Sequence, residues 1–149
     1  MSAIPQDIYT RVREIALEIV NASSAGDAVL QASLYEAFVD FYRGMSAINR
    51  SHPFLTESLA DFTDDDEEAA RLYLLAIDQA ETFPEEHTHT KKFALARCLW
   101  TLGQPEQAEA YVRDARAEAA RLDDQDCILE CEDLLREIEA QPLGPANGG

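Results

Sequence analysis

The sequence predicts an all-α protein, in which antiparallel helical hairpins stack into a short solenoid of about seven helices. Apolar residues recur at helical spacing along most of the chain, and no alternating apolar and polar run indicates a strand. In addition, Gly103 and Pro105 interrupt a helical pattern only briefly, as in a turn between two packed helices. The chain has 149 residues, so we expect a single helical domain over residues 1–140.

The N-terminal part predicts two helices that are separated near Gly26. The first should end in the small polar segment NASSAG, and Asp27 then stands where a side chain can cap the second helix. The residues expected to face inward are Ile8, Val12, Ile15 and Ile19 on the first helix and Leu30, Leu34, Phe38, Phe41 and Met45 on the second.

Two further helices are expected between Pro53 and Pro84. Pro53 suits the first turn of a short third helix, and the carboxylates of TDDDEE suit the first turn of a fourth, with Thr63 or Asp64 as its cap. Pro84 should end the fourth helix. The positions assigned to the two apolar faces are Phe54, Leu55, Ser58, Leu59 and Phe62, then Ala69, Leu72, Tyr73, Ala76 and Ala80.

The C-terminal part predicts three helices and a tail. The fifth helix should span residues 90–102, the sixth residues 105–122, and the seventh should follow DDQD. Residues 141–149, QPLGPANGG, have no pattern that could build a core, and we expect a disordered tail. The inward positions are Leu95, Ala96, Leu99 and Leu102, then Ala108, Val112, Ala115, Ala119 and Leu122, then Ile128, Cys131, Leu135 and Ile138.

Two of these hairpins are similar in sequence and form an internal repeat. Residues 59–80 align without gaps on residues 98–119. The alignment pairs Glu67 with Glu106, Ala69 with Ala108, Ala76 with Ala115, and Ala80 with Ala119. The alanines at 69 and 76, and again at 108 and 115, are two helical turns apart and share one face. Small residues at these positions allow two antiparallel helices to approach closely.

Residues 89–122 resemble a tetratricopeptide repeat (TPR). Leu95-Ala96, Gly103, Ala108 and Ala115 occupy the family's leucine–small, turn-glycine and two second-helix alanine positions. The resemblance is weaker over residues 50–83 and is only helical over residues 1–46. The sequence departs from the pattern at Asp64 (turn glycine), Lys92 (aromatic) and Ala120 (closing proline), and the period is longer than the family's roughly 34 residues.

The resemblance implies a binding groove, because TPR stacks usually serve as protein-binding scaffolds and line a concave surface with the first helix of each repeat. The positions carried over are Thr90, Phe93, Arg97, Trp100 and Thr101, and in the weaker repeat Ser51, Phe54, Ser58, Asp61 and Phe62. The residues we expect to bind the partner are Phe54, Asp61, Phe93, Arg97, Trp100 and Thr101. Trp100 is the only tryptophan, and tryptophan and arginine are favoured at binding hot spots. The alternative is that Phe93 and Trp100 pack against the N-terminal helices, so that the chain fills its own groove.

The net charge of −17 restricts the partners. So acidic a chain is not expected to bind nucleic acid or an anionic membrane surface, and it should be steered towards a basic protein. The alternative is that the acidity only keeps the protein soluble. No apolar run approaches the roughly 20 residues of a membrane span, and MSAIPQDIYTR does not resemble a secretory signal. The three cysteines are expected to be free thiols, which indicates the cytoplasm.

The residues that could carry chemistry form no diagnostic motif. Glu85, Glu86, His87 and His89 could bind zinc, but a fourth ligand at a typical spacing is missing. The run TDDDEE lacks the glycine of a calcium loop and is better explained as a helix cap. Cys98, Cys127 and Cys131 could act together only if they converge, and buried cysteines are usually apolar packing residues. We therefore expect no metal, no cofactor and no enzymatic activity.

Three functions compete on these observations. The first is a non-catalytic scaffold, most specifically an acidic immunity protein or inhibitor that neutralises a basic toxin such as a nuclease. The second is a secretion chaperone that holds an export substrate in its groove. The third, from a different class, is a metal-dependent enzyme built in a helical bundle. A further alternative is a repeat fragment that acts as an oligomerisation module. The acidic last helix, however, resembles the polar cap of a short stack, so we expect a monomer or a weak dimer.

Overall fold

The structure is a computed structural model that describes residues 4–140. Within these residues the chain forms seven α-helices, a short 3-10 turn and no strand, which confirms the all-α prediction. The predicted tail, residues 141–149, lies outside the described residues. The helices are α1 (Gln6–Ser24), α2 (Ala28–Ala47), α3 (Pro53–Asp61), α4 (Asp66–Gln79), α5 (His89–Thr101), α6 (Pro105–Arg121) and α7 (Gln125–Ala140).

Most successive helices pack against one another. The contacts between α3 and α4, α4 and α5, α5 and α6, and α6 and α7 are extensive, and α1 packs mainly on α2. Weaker contacts join α1 to α3 and α5 to α7. Glu57 of α3 also contacts the side chains of Thr90 and Lys91 on α5, so odd-numbered helices lie beside one another. This arrangement is compatible with a helical repeat and places α3, α5 and α7 in one layer.

The turn between α5 and α6 has the local structure that its sequence predicts. Gly103 has a φ of +79°, a left-handed conformation that costs glycine little, and Pro105 begins α6. The alanines on either side of this turn pack at the helix interfaces. Ala96, Ala108 and Ala115 are completely buried.

The predicted caps are confirmed for α2 and must be corrected for α4. Asp27 accepts a hydrogen bond from the Leu30 N–H at 3.0 Å. The cap of α4 is Asp65, which accepts from the Glu68 N–H at 2.9 Å, and neither Thr63 nor Asp64 has this role. The Thr63 hydroxyl still belongs to the end of α3, because it donates to the Leu59 carbonyl at 2.8 Å.

The core contains most of the predicted apolar stripes, with two errors. Leu30 and Leu122 are exposed, although both were expected to face inward. Leu30 lies in the first turn of α2, a helix that buries only Phe38 completely, and Leu122 lies one residue beyond α6. Cys127 and Leu134 are buried on α7 in addition to the predicted positions.

Among the helices in residues 4–140, none combines the length and the hydropathy needed to cross a bilayer.

Candidate functional site

Two pockets flank α5 on the side where α3 and α7 lie. The α5–α7 pocket has a volume of about 450 Å³, and its lining includes Phe93, Arg97, Trp100, Thr101, Glu130, Asp133 and Glu137. The α3–α5 pocket has a volume of about 350 Å³, and its lining includes Asp61, Asp66, Tyr73, Phe93, Arg97 and Thr101. Because Phe93, Arg97 and Thr101 belong to both linings, the pockets form one continuous surface, which we call the α5 groove.

The positions of α5 that line this groove follow from helical spacing. Phe93, Arg97 and Thr101 are spaced four residues apart, so they lie one above the other on the same face of α5. Trp100 follows Arg97 by three residues and lies next to this row. Residues of the opposite face, such as Leu95 and Leu99, are buried in the core. Packing of α5 on α4 and α6 therefore fixes which side chains face the groove.

All of the expected partner-binding residues except Phe54 line the α5 groove. Asp61 stands at the end of α3, and the other four lie on α5. The Phe54 ring is half-buried and lies 5.6 Å from the Tyr9 ring, centroid to centroid, because α1 packs over the start of α3. A role of these residues in binding stays a prediction.

The groove is open next to Trp100. Phe93 and Trp100 are half-buried, so each ring contacts the core and also borders a pocket, whereas Arg97 and Thr101 are exposed. The first helix packs on α2 and α3. The N-terminal helices thus cover Phe54 and leave the α5–α7 pocket accessible.

Carboxylates stand on both sides of the α5 groove. Asp61 and Asp66 lie on one side, and the other side carries the α7 residues Glu130, Asp133 and Glu137. Among the described residues that line the two pockets, Arg97 is the one basic side chain. An apolar floor with acidic walls is complementary to a polypeptide whose apolar side chains are flanked by lysine or arginine.

Asp61 is the carboxylate most perturbed by the groove. The Tyr73 hydroxyl donates a hydrogen bond to its Oδ1 at 2.6 Å. Although Asp61 reaches solvent, the surrounding groove walls desolvate its carboxylate and raise its pKa to about 6, against the opposing effect of the hydrogen bond. A cation placed beside Asp61 by a partner would compensate this desolvation.

Within residues 4–140, Glu85, Glu86, His87 and His89 do not make up one metal-binding group. His87 is exposed, His89 is buried, and their ring centroids are 6.0 Å apart. The Glu86 carboxylate accepts a hydrogen bond from Lys91 Nζ at 3.4 Å. His89 Nε2 lies 2.8 Å from Asp124 Oδ2, a pairing that the sequence did not reveal.

The three cysteines do not converge at one point. Cys127 Sγ and Cys131 Sγ are 4.0 Å apart on α7, whereas Cys98 borders the α3–α5 pocket. His89, Asp124 and Cys127 form a separate cluster at the start of α5 and α7.

The comparisons with known proteins give no relative. No protein-family model, curated protein or solved structure has a significant match to the chain.

Proposed function

We propose that this protein is a non-catalytic scaffold whose α5 groove holds a segment of a basic partner protein. The observation that carries this proposal is the open α5 groove, with Asp61 and Asp66 on one side and the α7 carboxylates on the other, next to Trp100. Paired helical hairpins and the TPR-like residues of 89–122 support a binding role rather than catalysis. A cytoplasmic location fits the three free thiols.

The most specific form of the proposal is an immunity protein or inhibitor that neutralises a basic toxin. A net charge of −17 creates a long-range field that accelerates encounter with a positively charged surface. An enzyme that binds a polyanion, such as a nuclease, has a site of that kind, and the acidic surface around the groove would cover it while the groove holds a basic segment beside it.

The groove carboxylates should contribute more to the rate of association with the partner than the same number of carboxylates elsewhere on the surface. The triple variant Asp61→Asn, Glu130→Gln and Glu137→Gln should lower the association rate constant with the partner by about tenfold, because it removes the charges that face the bound segment. The measurement is stopped-flow association at several salt concentrations, with a partner recovered by affinity capture. Association of the unmodified chain should slow as salt rises, since charges more than roughly 8 Å apart are screened at physiological ionic strength.

A matched control removes three charges outside the groove. Asp78→Asn, Glu81→Gln and Glu106→Gln alter exposed residues that line neither pocket, and they give the same net charge as the groove variant. We expect this control to change the rate constant by less than about threefold. Equal effects of the two triple variants on the association rate constant would refute a role of the groove. A rate constant that does not change with salt concentration would do the same.

Binding should also depend on pH through Asp61. A cationic partner selects the ionised carboxylate, so affinity is fully present above a pKa of about 6 and is lost as the pH falls below it. We expect affinity to decrease roughly tenfold between pH 7 and pH 5. The ratio of the affinities of the unmodified chain and Asp61→Asn cancels titration of the partner. A ratio that is constant over this range would contradict contact between Asp61 and a cation.

A further inference from the structure

A cluster of metal-binding side chains lies away from the groove floor, where the starts of α5 and α7 meet. One potential ligand atom from each of His89, Asp124 and Cys127 lies within 4.8 Å of the other two. Cys131, one turn further along α7, places its Sγ 4.0 Å from Cys127 Sγ. One thiol, an imidazole and a carboxylate thus come together from two helices and the turn between α6 and α7, and a second thiol adjoins the first.

The cluster is buried and is held in place by its own hydrogen bonds. His89, Cys127 and Cys131 are 7%, 3% and 0% exposed. Asp124 is fixed at both oxygens, because Oδ2 meets His89 Nε2 at 2.8 Å and Oδ1 accepts the Cys127 N–H at 3.2 Å. The Asp124 side chain is 35% exposed, which leaves a path for an ion from solvent.

One polar atom of the cluster has no partner. His89 Nδ1 is buried and makes no hydrogen bond within the described part of the chain. A neutral imidazole has one N–H and one nitrogen with a free lone pair. When Nδ1 carries the hydrogen, the Nε2 lone pair faces Asp124 Oδ2, and a metal ion between these two atoms would bind both.

The donor set matches the requirements of Zn²⁺. Structural zinc is bound by four thiolate, imidazole or carboxylate ligands in tetrahedral geometry, with Zn–S distances of about 2.3 Å. Two thiolates at that distance from one ion are about 3.8 Å apart, close to the sulfur separation seen between Cys127 and Cys131. Two adjustments bring the four ligands around one ion. The contact of 2.8 Å between His89 Nε2 and Asp124 Oδ2 must lengthen, and Cys131, which lies outside the group formed by His89, Asp124 and Cys127, must turn its Sγ towards the ion.

We propose that His89, Asp124, Cys127 and Cys131 form a zinc site that fixes the start of α5 against α7. Both helices also line the α5–α7 pocket, so the ion would set the separation of the pocket walls. Zinc binds thiolates, so its binding would displace the protons of both thiols.

Cobalt, a spectroscopic substitute for zinc, provides the test. The full chain, reduced and metal-free, is titrated with Co²⁺ while the visible and near-ultraviolet spectra are recorded. We expect saturation at one equivalent, with the visible bands of tetrahedral cobalt and a thiolate-to-cobalt charge-transfer band, and loss of both on addition of Zn²⁺. Absence of the charge-transfer band in the folded, reduced protein would overturn the proposal.

Two variants and a control test whether the bound ion lies at this cluster. Cys127→Ser should abolish the charge-transfer band or strongly reduce it, whereas Cys98→Ser should retain it, since Cys98 lies outside the cluster. Asp124→Asn preserves an N-cap acceptor, so the fold should survive, but zinc affinity should fall by at least about tenfold. If Cys127→Ser does not fold, Asp124→Asn decides the question. Unchanged cobalt spectra and affinity in either folded variant would show that the ion binds elsewhere.

Discussion

Replacing Trp100 by alanine should weaken binding of the partner by about 100-fold or more, while the chain stays folded. The indole borders the α5–α7 pocket and is flanked by Arg97 and by the carboxylates of α7. Truncation of such a residue at the centre of an interface typically costs 2 kcal/mol or more, and about 2.8 kcal/mol corresponds to 100-fold in Kd. Isothermal titration calorimetry gives the affinity, and circular dichroism with thermal unfolding gives the fold.

Two further substitutions separate recognition from packing. Trp100→Phe keeps an aromatic ring on the pocket floor and should restore most of the affinity. Tyr111→Ala removes a half-buried aromatic side chain from α6, outside both pocket linings, and should leave affinity within about threefold. If Trp100→Ala and Tyr111→Ala bind the partner equally well, the indole is a packing residue and the groove is not the binding surface.

Replacing Lys91 by alanine should lower the free energy of unfolding by about 3 kcal/mol. Lys91 is only 2% exposed, and its Nζ lies 3.0 Å from a Glu57 oxygen and 3.4 Å from a Glu86 oxygen. It also donates a hydrogen bond to the His87 carbonyl at 3.0 Å. Without the ammonium group, two partly buried carboxylates and a carbonyl lose their shared cation. We expect the lower end of the range for broken buried ion pairs, because both carboxylates retain some contact with water.

Urea unfolding of three variants, each compared with the unmodified chain, tests this prediction. Lys91→Met keeps the aliphatic stem, so its stability reports the charge separately from the packing. Adding Glu57→Gln to Lys91→Ala should recover part of the loss, because it removes one of the carboxylates that is left unpaired. A loss below about 1 kcal/mol for Lys91→Ala would mean that Lys91 acts as a surface ion pair.

Helix positions were predictable because they depend on local patterns. The apolar stripe of α1, the Asp27 cap and the Gly103 turn each involve residues within a few positions of one another. Local rules did not decide between neighbouring residues that could each cap the same helix. Three consecutive aspartates can each cap α4. Asp65 is the one that does so, because α4 begins directly after it.

The groove was predicted in part, through the spacing of α5 and its resemblance to a known repeat. The acidic wall on α7 was not predicted, because it depends on how far α7 lies from α5 in space. Phe54 was assigned to the groove by its position in the repeat, but nothing in its neighbourhood reveals that Tyr9 covers it. Contacts between distant segments, such as Tyr73 with Asp61 or His89 with Asp124, cannot be derived from spacing alone.

Trp100 also offers a direct view of whether the groove receives the partner, since the chain has a single tryptophan. Incorporating 5-fluorotryptophan into this chain alone gives one fluorine resonance, whatever residues the partner contains. On formation of the complex we predict that this resonance shifts or broadens in proportion to the bound fraction. A complex of confirmed size in which the fluorine resonance stays unchanged would contradict binding in the α5 groove.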